Sequence, residues 1–449
     1  MRFAEPMLRN TARALRRQWW RLRQAVDRAP FDEHFYLAAY SDVAAAVEEG
    51  RVSTAYQHFH ESGASEGRLA FGSLEPDLEE MLLMAPTTAM VYLELTSRCN
   101  LRCVYCPVSQ PGYVGADLVL ANFDRFVEVM HARRVQIVVM NGHGESSIVK
   151  DWDAIADRLA DEGFRLHITT NLAKRLTASE VSALSRFDMI LVSVDTVDAS
   201  LLAELRRGAN LDTILRNLEA VIGHAARRHR DPEIAVSCVV SDRSALGIAA
   251  LVDTLLAVGV RKFRFGDLVE YPAVDGAMTV RHVSTLSADE LADARAQFRH
   301  ALDAIGARGA IVNVDPPVAA ILERIGETRL EVDVRTPDTA TKIVRFDRPL
   351  ALETRDCLDP WRIAFVHASG EVRPCCFYEE TLGQLDAEPL PDIVNGARFR
   401  ELRRGLLSGE LSRSCASCNA RSLIGIDLLR AKVEEYVEYE ANRTADAPR

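Results

Sequence analysis

The sequence has no long apolar segment. Among its 449 residues there is no run of about 18 apolar residues, so we expect no transmembrane helix. The basic N-terminus is not followed by an apolar stretch and a small-residue cleavage site, so a secretory signal is not expected either.

The sequence also has fewer basic than acidic residues, and few of its cysteines stand alone. The 54 Lys and Arg residues are outnumbered by 65 Asp and Glu residues, and the net charge of −11 argues against general nucleic-acid binding. The nine cysteines fall into groups, which is typical of metal-binding thiolates rather than disulfides. These patterns predict a protein of the reducing cytoplasm with no nucleic-acid partner.

The first cysteine group is Cys99, Cys103 and Cys106, with spacing C-x3-C-x2-C and Tyr105 just before the third cysteine. A closed [4Fe–4S] cluster normally takes four cysteines. Three would leave one iron open, as catalytic metal sites keep an open position. The alternative is a zinc site, but zinc needs a fourth ligand nearby, and the next Cys or His is His131.

Residues 88–316 alternate short apolar runs with helical patterns. The predicted strands are Met90–Leu95, Val135–Asn141, Arg165–Thr169, Met189–Val194, Ile234–Val240 and Lys262–Gly266. Such alternation predicts a parallel sheet with right-handed crossovers. Polar motifs follow several of these strands: Asn141–Ser146 after the second, Asn171 after the third, Ser193 and Asp195 at the fourth, and then Arg206 and Arg207.

Together these residues resemble the radical S-adenosylmethionine (SAM) superfamily. The resemblance implies an α/β fold with a partial (β/α)6 barrel, and a [4Fe–4S] cluster on Cys99, Cys103 and Cys106 whose open iron binds SAM. It also implies that Tyr105 lies near the adenine, Gly144 and Glu145 near the amino group, Ser193 and Asp195 near the ribose, and Arg207 near the carboxylate. The Gly-Gly-Glu motif of the family is imperfect here, because His143 replaces one glycine.

The second cysteine group is Cys357, Cys375, Cys376, Cys415 and Cys418. Residues 361–376 read as a β-hairpin with a turn at Gly370, followed by a helix over Ala397–Leu407 and a C-x2-C pair. The layout of residues 357–430 resembles the SPASM and twitch extensions of radical SAM enzymes. Because no cysteine follows Cys418, the resemblance implies one auxiliary [4Fe–4S] cluster, held by Cys357, Cys375, Cys415 and Cys418. Cys375 is preferred to Cys376 because it keeps the family's glycine spacing, and a zinc site is the alternative.

The remaining segments are less informative. Residues 1–30 predict a basic amphipathic helix, which could contact a membrane surface or form a solvated arm. Residues 31–75 predict a small helical module that resembles one found in saccharide-pathway proteins, or else an adaptor. Residues 317–356 are predicted to be a linker, and residues 431–449 a tail.

The resemblance implies a radical enzyme that draws electrons from a reductant such as flavodoxin or ferredoxin. With an auxiliary cluster to accept an electron, it predicts dehydrogenation or epimerisation of a saccharide-like small molecule. A ribosomal-peptide-modifying enzyme and a non-catalytic iron–sulfur scaffold or redox sensor are the alternatives.

Three residues are candidates for the substrate's base or hydrogen donor: Cys238, Asp267 and Glu270. A core position for Cys238 and a solvated loop for the two acids are the competing interpretations.

Overall fold

The computed structural model describes residues 31–445 except 32, 67, 69–75, 121–122, 269–279, 316–317, 320–352 and 419–420. The predicted N-terminal helix and Glu270 lie outside the described residues. Within the described part of the chain, no helix is both long and apolar enough to cross a membrane.

A ten-stranded sheet forms the frame of the molecule. Its strands are β1 (Met90–Leu93), β3 (Ile137–Met140), β4 (Arg165–Thr170), β5 (Met189–Ser193), β7 (Glu233–Val240), β8 (Lys262–Asp267), β9 (Ile311–Val314), β11 (Ile363–Val366), β12 (Glu371–Arg373) and β13 (Gly383–Gln384). Their order is β13-β12-β11-β1-β3-β4-β5-β7-β8-β9, and all neighbours from β11 to β9 are parallel. The six predicted strands are present, and β9 adds a seventh that the sequence pattern did not indicate.

Two small two-stranded pairings stand apart from this sheet. The first joins β2 (Arg102–Cys103) to β6 (Arg206–Arg207), and the second joins β10 (Glu353–Arg355) to β14 (Leu423–Gly425). The first pairing joins the loop that carries Cys99, Cys103 and Cys106, called the cluster loop, to the segment that follows β5. The second ties the end of the predicted linker to the C-terminal region.

Helices of the described chain between residues 123 and 307 alternate with the strands and pack against them in the main core, whereas the first three helices form a separate cluster. They are α1 (Glu33–Ala39), α2 (Ser41–Glu48), α3 (Ala55–His58), α4 (Pro76–Leu82), α5 (Phe123–Ala132), α6 (Trp152–Asp161), α7 (Ala178–Leu184), α8 (Ala199–Leu205), α9 (Leu211–Arg227), α10 (Ile248–Val258), α11 (Ala288–Ala307), α12 (Asp359–Arg362), α13 (Leu390–Val394), α14 (Ala397–Ser408), α15 (Arg413–Ala416) and α16 (Ile426–Ala445). Capping boxes begin α7 at Thr177 and α11 at Ser287.

The period of two along each strand divides the sheet into two faces. Apolar residues such as Val91 and Leu93 of β1 and Val236 of β7 enter the main core against the helices. Their neighbours along the strand, such as Tyr92 and Ser237, point to the opposite side, which we call the inner face. In a curved parallel sheet this face and the carboxyl ends of the strands hold the active site.

The C-terminal region differs from the predicted tail. Helix α16 continues to Ala445, and its Leu429, Val433 and Val437 pack into a second core with Trp361 and other residues. Their spacing of three or four residues places all three side chains on one helix face.

Arg403 of α14 is a fully buried cation that joins these elements. Its guanidinium donates to the carbonyl oxygens of Leu83 at 2.7 Å, Pro360 at 2.6 Å and Val394 at 2.7 Å. Burial lowers the pKa of Arg403 to about 9. Three peptide carbonyls thus depend on one side chain, with no carboxylate among these partners.

The variant Arg403→Leu should lower the free energy of unfolding by at least about 3 kcal/mol, since each orphaned buried acceptor costs roughly 1–3 kcal/mol. Urea unfolding followed by circular dichroism measures this loss. Arg404→Leu is the matched control, because Arg404 is the exposed neighbour on the same helix, and it should stay within about 0.5 kcal/mol of the parent. Equal losses in the two variants would refute the role of Arg403.

Candidate functional site

The cluster loop leaves the carboxyl end of β1 and carries the first three cysteines. Cys103 lies in β2 opposite Arg206, so a short ladder fixes the middle of the loop. The Cys99 thiol accepts from the Leu101 amide at 3.4 Å and from the Asn171 side-chain amide at 3.7 Å. Donors directed at sulfur suit a thiolate that is bound to metal.

The three thiols share a buried, electrostatically coupled environment. Burial raises the pKa of Cys99, Cys103 and Cys106, that of Cys103 to about 11, and each thiol also feels the charge of another in the group. Because raised pKa values favour the protonated thiols, positive charge nearby would be needed to hold all three as thiolates near neutral pH. The iron ions of a cluster would provide that charge.

Neither cysteine group is arranged closely enough for three ligands of a single ion. Among the described residues, the one group of three Cys, His, Asp or Glu residues with ligand atoms within 4.8 Å of one another contains no cysteine. Sulfur ligands on one Zn²⁺ lie about 3.8 Å apart, given Zn–S bonds of about 2.3 Å and tetrahedral geometry.

Gly144 and Glu145 bind the second strand end to the cluster loop. A Cβ on Gly144 would lie 2.2 Å from the Thr96 carbonyl oxygen and 2.4 Å from that of Arg98, so only glycine fits against the loop. The buried Glu145 carboxylate accepts from the Thr170 hydroxyl at 2.8 Å and from the Asn171 amide at 2.7 Å. In this structure Gly144 therefore packs directly against the cluster loop, and Glu145 binds the end of β4.

Asp195, Arg206 and Tyr105 form a buried polar group beside Cys103. Asp195 is fully buried and pairs with both ends of the Arg206 guanidinium at 2.8 Å. Its oxygens also accept from the Tyr105 hydroxyl at 2.5 Å and the Val239 amide at 3.0 Å. Although burial lowers it, the charge of Asp195 holds the pKa of Arg206 well above its usual range.

These contacts describe the surroundings of two predicted SAM-binding residues, whose roles stay predictions. Four donors contact the Asp195 carboxylate, whereas Ser193 is half-buried on the inner face. Arg207, which was preferred as the carboxylate-binding cation, is exposed, while its neighbour Arg206 is buried against Asp195. Side chains alternate between faces along a strand, so the two adjacent arginines point to opposite sides of β6.

The second cysteine group includes a residue at the level of the amino end of β11, whereas the cluster loop follows the carboxyl end of β1. In the β11–β12 hairpin Phe365 pairs with Arg373, so Cys375 returns to the level of Ile363, at the amino end of β11. Burial raises the pKa of Cys375 to about 12 and that of Cys376 to about 11. The Cys357 thiol feels the charge of Cys375, and the Cys376 thiol feels that of Cys418, so the group is one electrostatic unit.

The two described candidates for the substrate's hydrogen donor or base lie in different surroundings. Cys238 is fully buried in the main core, on the helix side of β7, and its thiol contacts the Asp195 carbonyl oxygen at 3.5 Å. Burial raises its pKa well above the usual range, which favours the core interpretation. Asp267 lies at the end of β8 with His282 Nε2 2.8 Å from its carboxylate.

The sequence reasoning missed one group of residues, Glu94, His143 and His367. All three lie at strand ends on the inner face, and their candidate ligand atoms lie within 4.8 Å of one another. The one available signal was His143, which stands where the family motif has glycine.

Two family models match the chain. The model of the radical SAM superfamily matches residues 93–227, and that of an iron–sulfur cluster-binding domain, SPASM, matches residues 357–419.

Two curated relatives each match less than a third of the chain. A GTP 3′,8-cyclase from Corynebacterium glutamicum is 32% identical over 146 residues, which cover 29% of this chain and 37% of the relative. An S-adenosylmethionine-dependent nucleotide dehydratase from Selenomonas ruminantium is 28% identical, over 28% of this chain and 46% of the relative. The chain therefore spans less than half the length of these two relatives.

Solved structures match more of the chain at lower identity. SuiB from Streptococcus suis, bound to its precursor peptide SuiA, is 15% identical over 80% of this chain and 78% of its own, with a TM-score of 0.51. The enzyme anSMEcpe, with bound AdoMet and the Cp18Cys peptide, is 13% identical over 80% and 99%, with a TM-score of 0.50. These similarities concern the fold.

The motifs, the sheet and the family models agree on one assignment. Residues 93–227 are a radical SAM superfamily region, and residues 357–419 are an iron–sulfur cluster-binding domain of the SPASM type.

Proposed function

We propose that this chain oxidises a hydroxylated, saccharide-like substrate by radical SAM chemistry, with a single auxiliary cluster as the electron acceptor. The observation that supports the proposal is the register of the C-terminal hairpin, which returns Cys375 to the level of the amino end of β11, whereas the cluster loop follows the carboxyl end of β1. When bound, the SAM-carrying cluster would supply a radical that removes a hydrogen atom from a substrate C–H bond, and the auxiliary cluster would accept one electron. The hydroxyl proton would pass to a base, for which Asp267 at the end of β8 is the described candidate.

The register of the sheet supports this arrangement. Cys375 is level with the start of β11, and the cluster loop begins beyond the ends of β1 and β11. The four residues of β11 alone span about 13 Å along the strands, which leaves room for a small substrate between the two groups. In this arrangement Cys99, Cys103 and Cys106 hold one cluster, while Cys357, Cys375, Cys415 and Cys418 hold the other.

The inner face supports a polar substrate. Ser193, Ser237, Arg264 and Asn313 are paired in register across four adjacent strands, and we call them the polar row. Three of them are half-buried and Arg264 is exposed, so their hydroxyl, guanidinium and amide groups are available for hydrogen bonds. A polyhydroxylated molecule matches such a row better than an apolar one.

Arg206 supports the cluster loop through Asp195 and Tyr105. Because the guanidinium offsets a fully buried carboxylate beside Cys103, it fixes the loop that would hold the cluster and SAM. Arg206 therefore serves as a positioning residue in the proposed function.

The variant Arg206→Gln should lose most reductive SAM cleavage, because it leaves the buried Asp195 charge unpaired, a change that costs about 3–5 kcal/mol. The release of 5′-deoxyadenosine by reduced, anaerobically reconstituted protein measures this, together with the iron content. Arg207→Gln is the matched control and should keep near-parental cleavage. The assignment fails if Arg207→Gln is the more damaging of the two.

The proposed cluster count predicts about eight irons per reconstituted chain, four for each cluster. The double variant Cys357→Ala/Cys375→Ala should retain about half of this iron and still cleave SAM. Cys376→Ala, one residue away, should keep the full complement. Full iron in the double variant would contradict the ligand set, and loss in Cys376→Ala would move the ligand to that residue.

Substrate oxidation can be tested by incubating the reduced holoprotein with SAM and a panel of aminocyclitols, sugars, nucleotide sugars and short peptides. Oxidation predicts that a hydroxylated small molecule loses two hydrogens, with 5′-deoxyadenosine formed alongside. Since SuiB and anSMEcpe were solved with peptides, modification of a peptide alone would favour the peptide alternative. An absence of SAM cleavage in fully loaded protein would favour the scaffold or sensor.

The same assay separates oxidation from epimerisation. In deuterium oxide, an epimerised substrate keeps its hydrogen count and takes up one deuterium. Cys238→Ala should leave the product unchanged, because the thiol lies in the core on the helix side of β7.

A further inference from the structure

Glu94, His143 and His367 come from three separate parts of the chain and meet on the inner face. Glu94 follows β1, His143 follows β3 and His367 follows β11, so all three lie at the carboxyl edge of the sheet. Glu94 is 2% exposed and His367 5% exposed, which makes them a buried polar group near the cluster loop.

The distances within this group are too long for good hydrogen bonds. His143 Nδ1 lies 3.5 Å from Glu94 Oε1, and His367 Nδ1 lies 3.3 Å from Glu94 Oε2. An N–H···O bond normally spans about 2.7–3.2 Å. Neighbouring ligands of a tetrahedral ion with metal–ligand bonds of about 2.1 Å lie about 3.4 Å apart, which agrees with both distances.

Backbone groups hold the Glu94 carboxylate in this position. Its Oε1 accepts from the His143 amide at 2.5 Å, and its Oε2 accepts from the Ala368 amide at 2.9 Å. Each oxygen therefore keeps one lone pair for another partner. Gly142 allows the approach, since a Cβ there would lie 2.2 Å from Oε1.

The other ring nitrogen of His367, Nε2, is buried and has no hydrogen-bond partner among the described residues. When Nδ1 binds a metal, Nε2 carries the ring proton. A metal-bound His367 would therefore need a water molecule or another acceptor at Nε2.

We propose that Glu94, His143 and His367 bind one Zn²⁺ ion through the carboxylate and the two Nδ1 atoms. The donors are nitrogen and oxygen only, which separates this site from both cysteine groups. His143 is one-third exposed, so the remaining coordination position opens towards the inner face. An oxygen ligand, from water or from a substrate hydroxyl, fits that position.

Zinc binding to the holoprotein tests the site. Protein reconstituted anaerobically to its full iron content is equilibrated with Zn²⁺, passed through a desalting column and analysed for zinc by mass spectrometry. We expect one tightly held zinc per chain. Zinc-edge X-ray absorption should show nitrogen and oxygen ligands at about 2.0–2.1 Å and no sulfur at about 2.3 Å.

Variants locate the ion. Glu94→Gln and His367→Phe should each reduce bound zinc to background while keeping the iron content of the parent. His167→Gln is the matched control, because His167 lies on β4 of the same sheet, is half-buried and lies outside the group. It should keep the zinc.

Three results would overturn the proposal. The first is no retained zinc in the parent protein, and the second is a zinc–sulfur shell, which would mean zinc in a cysteine site. The third is unchanged zinc in the Glu94 and His367 variants. The absorption measurement uses the unmodified protein, so it decides the question even if a variant fails to fold. None of these readouts depends on the substrate or on SAM cleavage.

Discussion

The parallel pairing of β1 with β11 is the constraint on which the rest of the structure depends. It adds the C-terminal hairpin to the edge of the barrel sheet, with Met90 opposite Ile363 and Leu93 opposite Val366. Through this single register the two cysteine groups share one rigid frame. Parallel pairing evenly spaces the hydrogen bonds and leaves little freedom to slip, because a one-residue shift would turn every apolar side chain to the wrong face.

Buried charge is the second organising feature. Arg206 and Asp195 neutralise each other beside the cluster loop, whereas Arg403 is balanced by carbonyl oxygens in the C-terminal core. Such groups are poor sources of net stability but strict in geometry, since each requires its partners in place. In this chain they stand where separate segments must meet, which suggests that they specify the assembly of loops and domains.

Much of the fold could be predicted because its signals are local. The strands of the barrel are apolar runs with regular spacing, and the C-terminal hairpin turns at Gly370, whose φ of 81° suits glycine. The sequence pattern did not predict β9, because Ile311–Val314 is short and contains the polar Asn313. The sequence pattern did not predict that α16 continues to Ala445, because its apolar residues are sparse among charged ones.

The site was harder to predict, because its details are set by contacts between distant residues. The burial of Arg206 and the exposure of Arg207 depend on a two-residue strand that has no recognisable sequence pattern. Glu94 and His367 become neighbours only when β1 pairs with β11. The cysteines, in contrast, were recognisable because their spacing along the chain carries the signal.

The β1–β11 pairing also has a consequence for biosynthesis. A ribosome completes β1 long before it reaches β11, a delay on the order of tens of seconds at bacterial rates. During that time β1 has an unpaired edge in an apolar sheet, which is a template for aggregation. A fragment that ends before the hairpin keeps this exposed edge, so we expect it to aggregate when expressed alone.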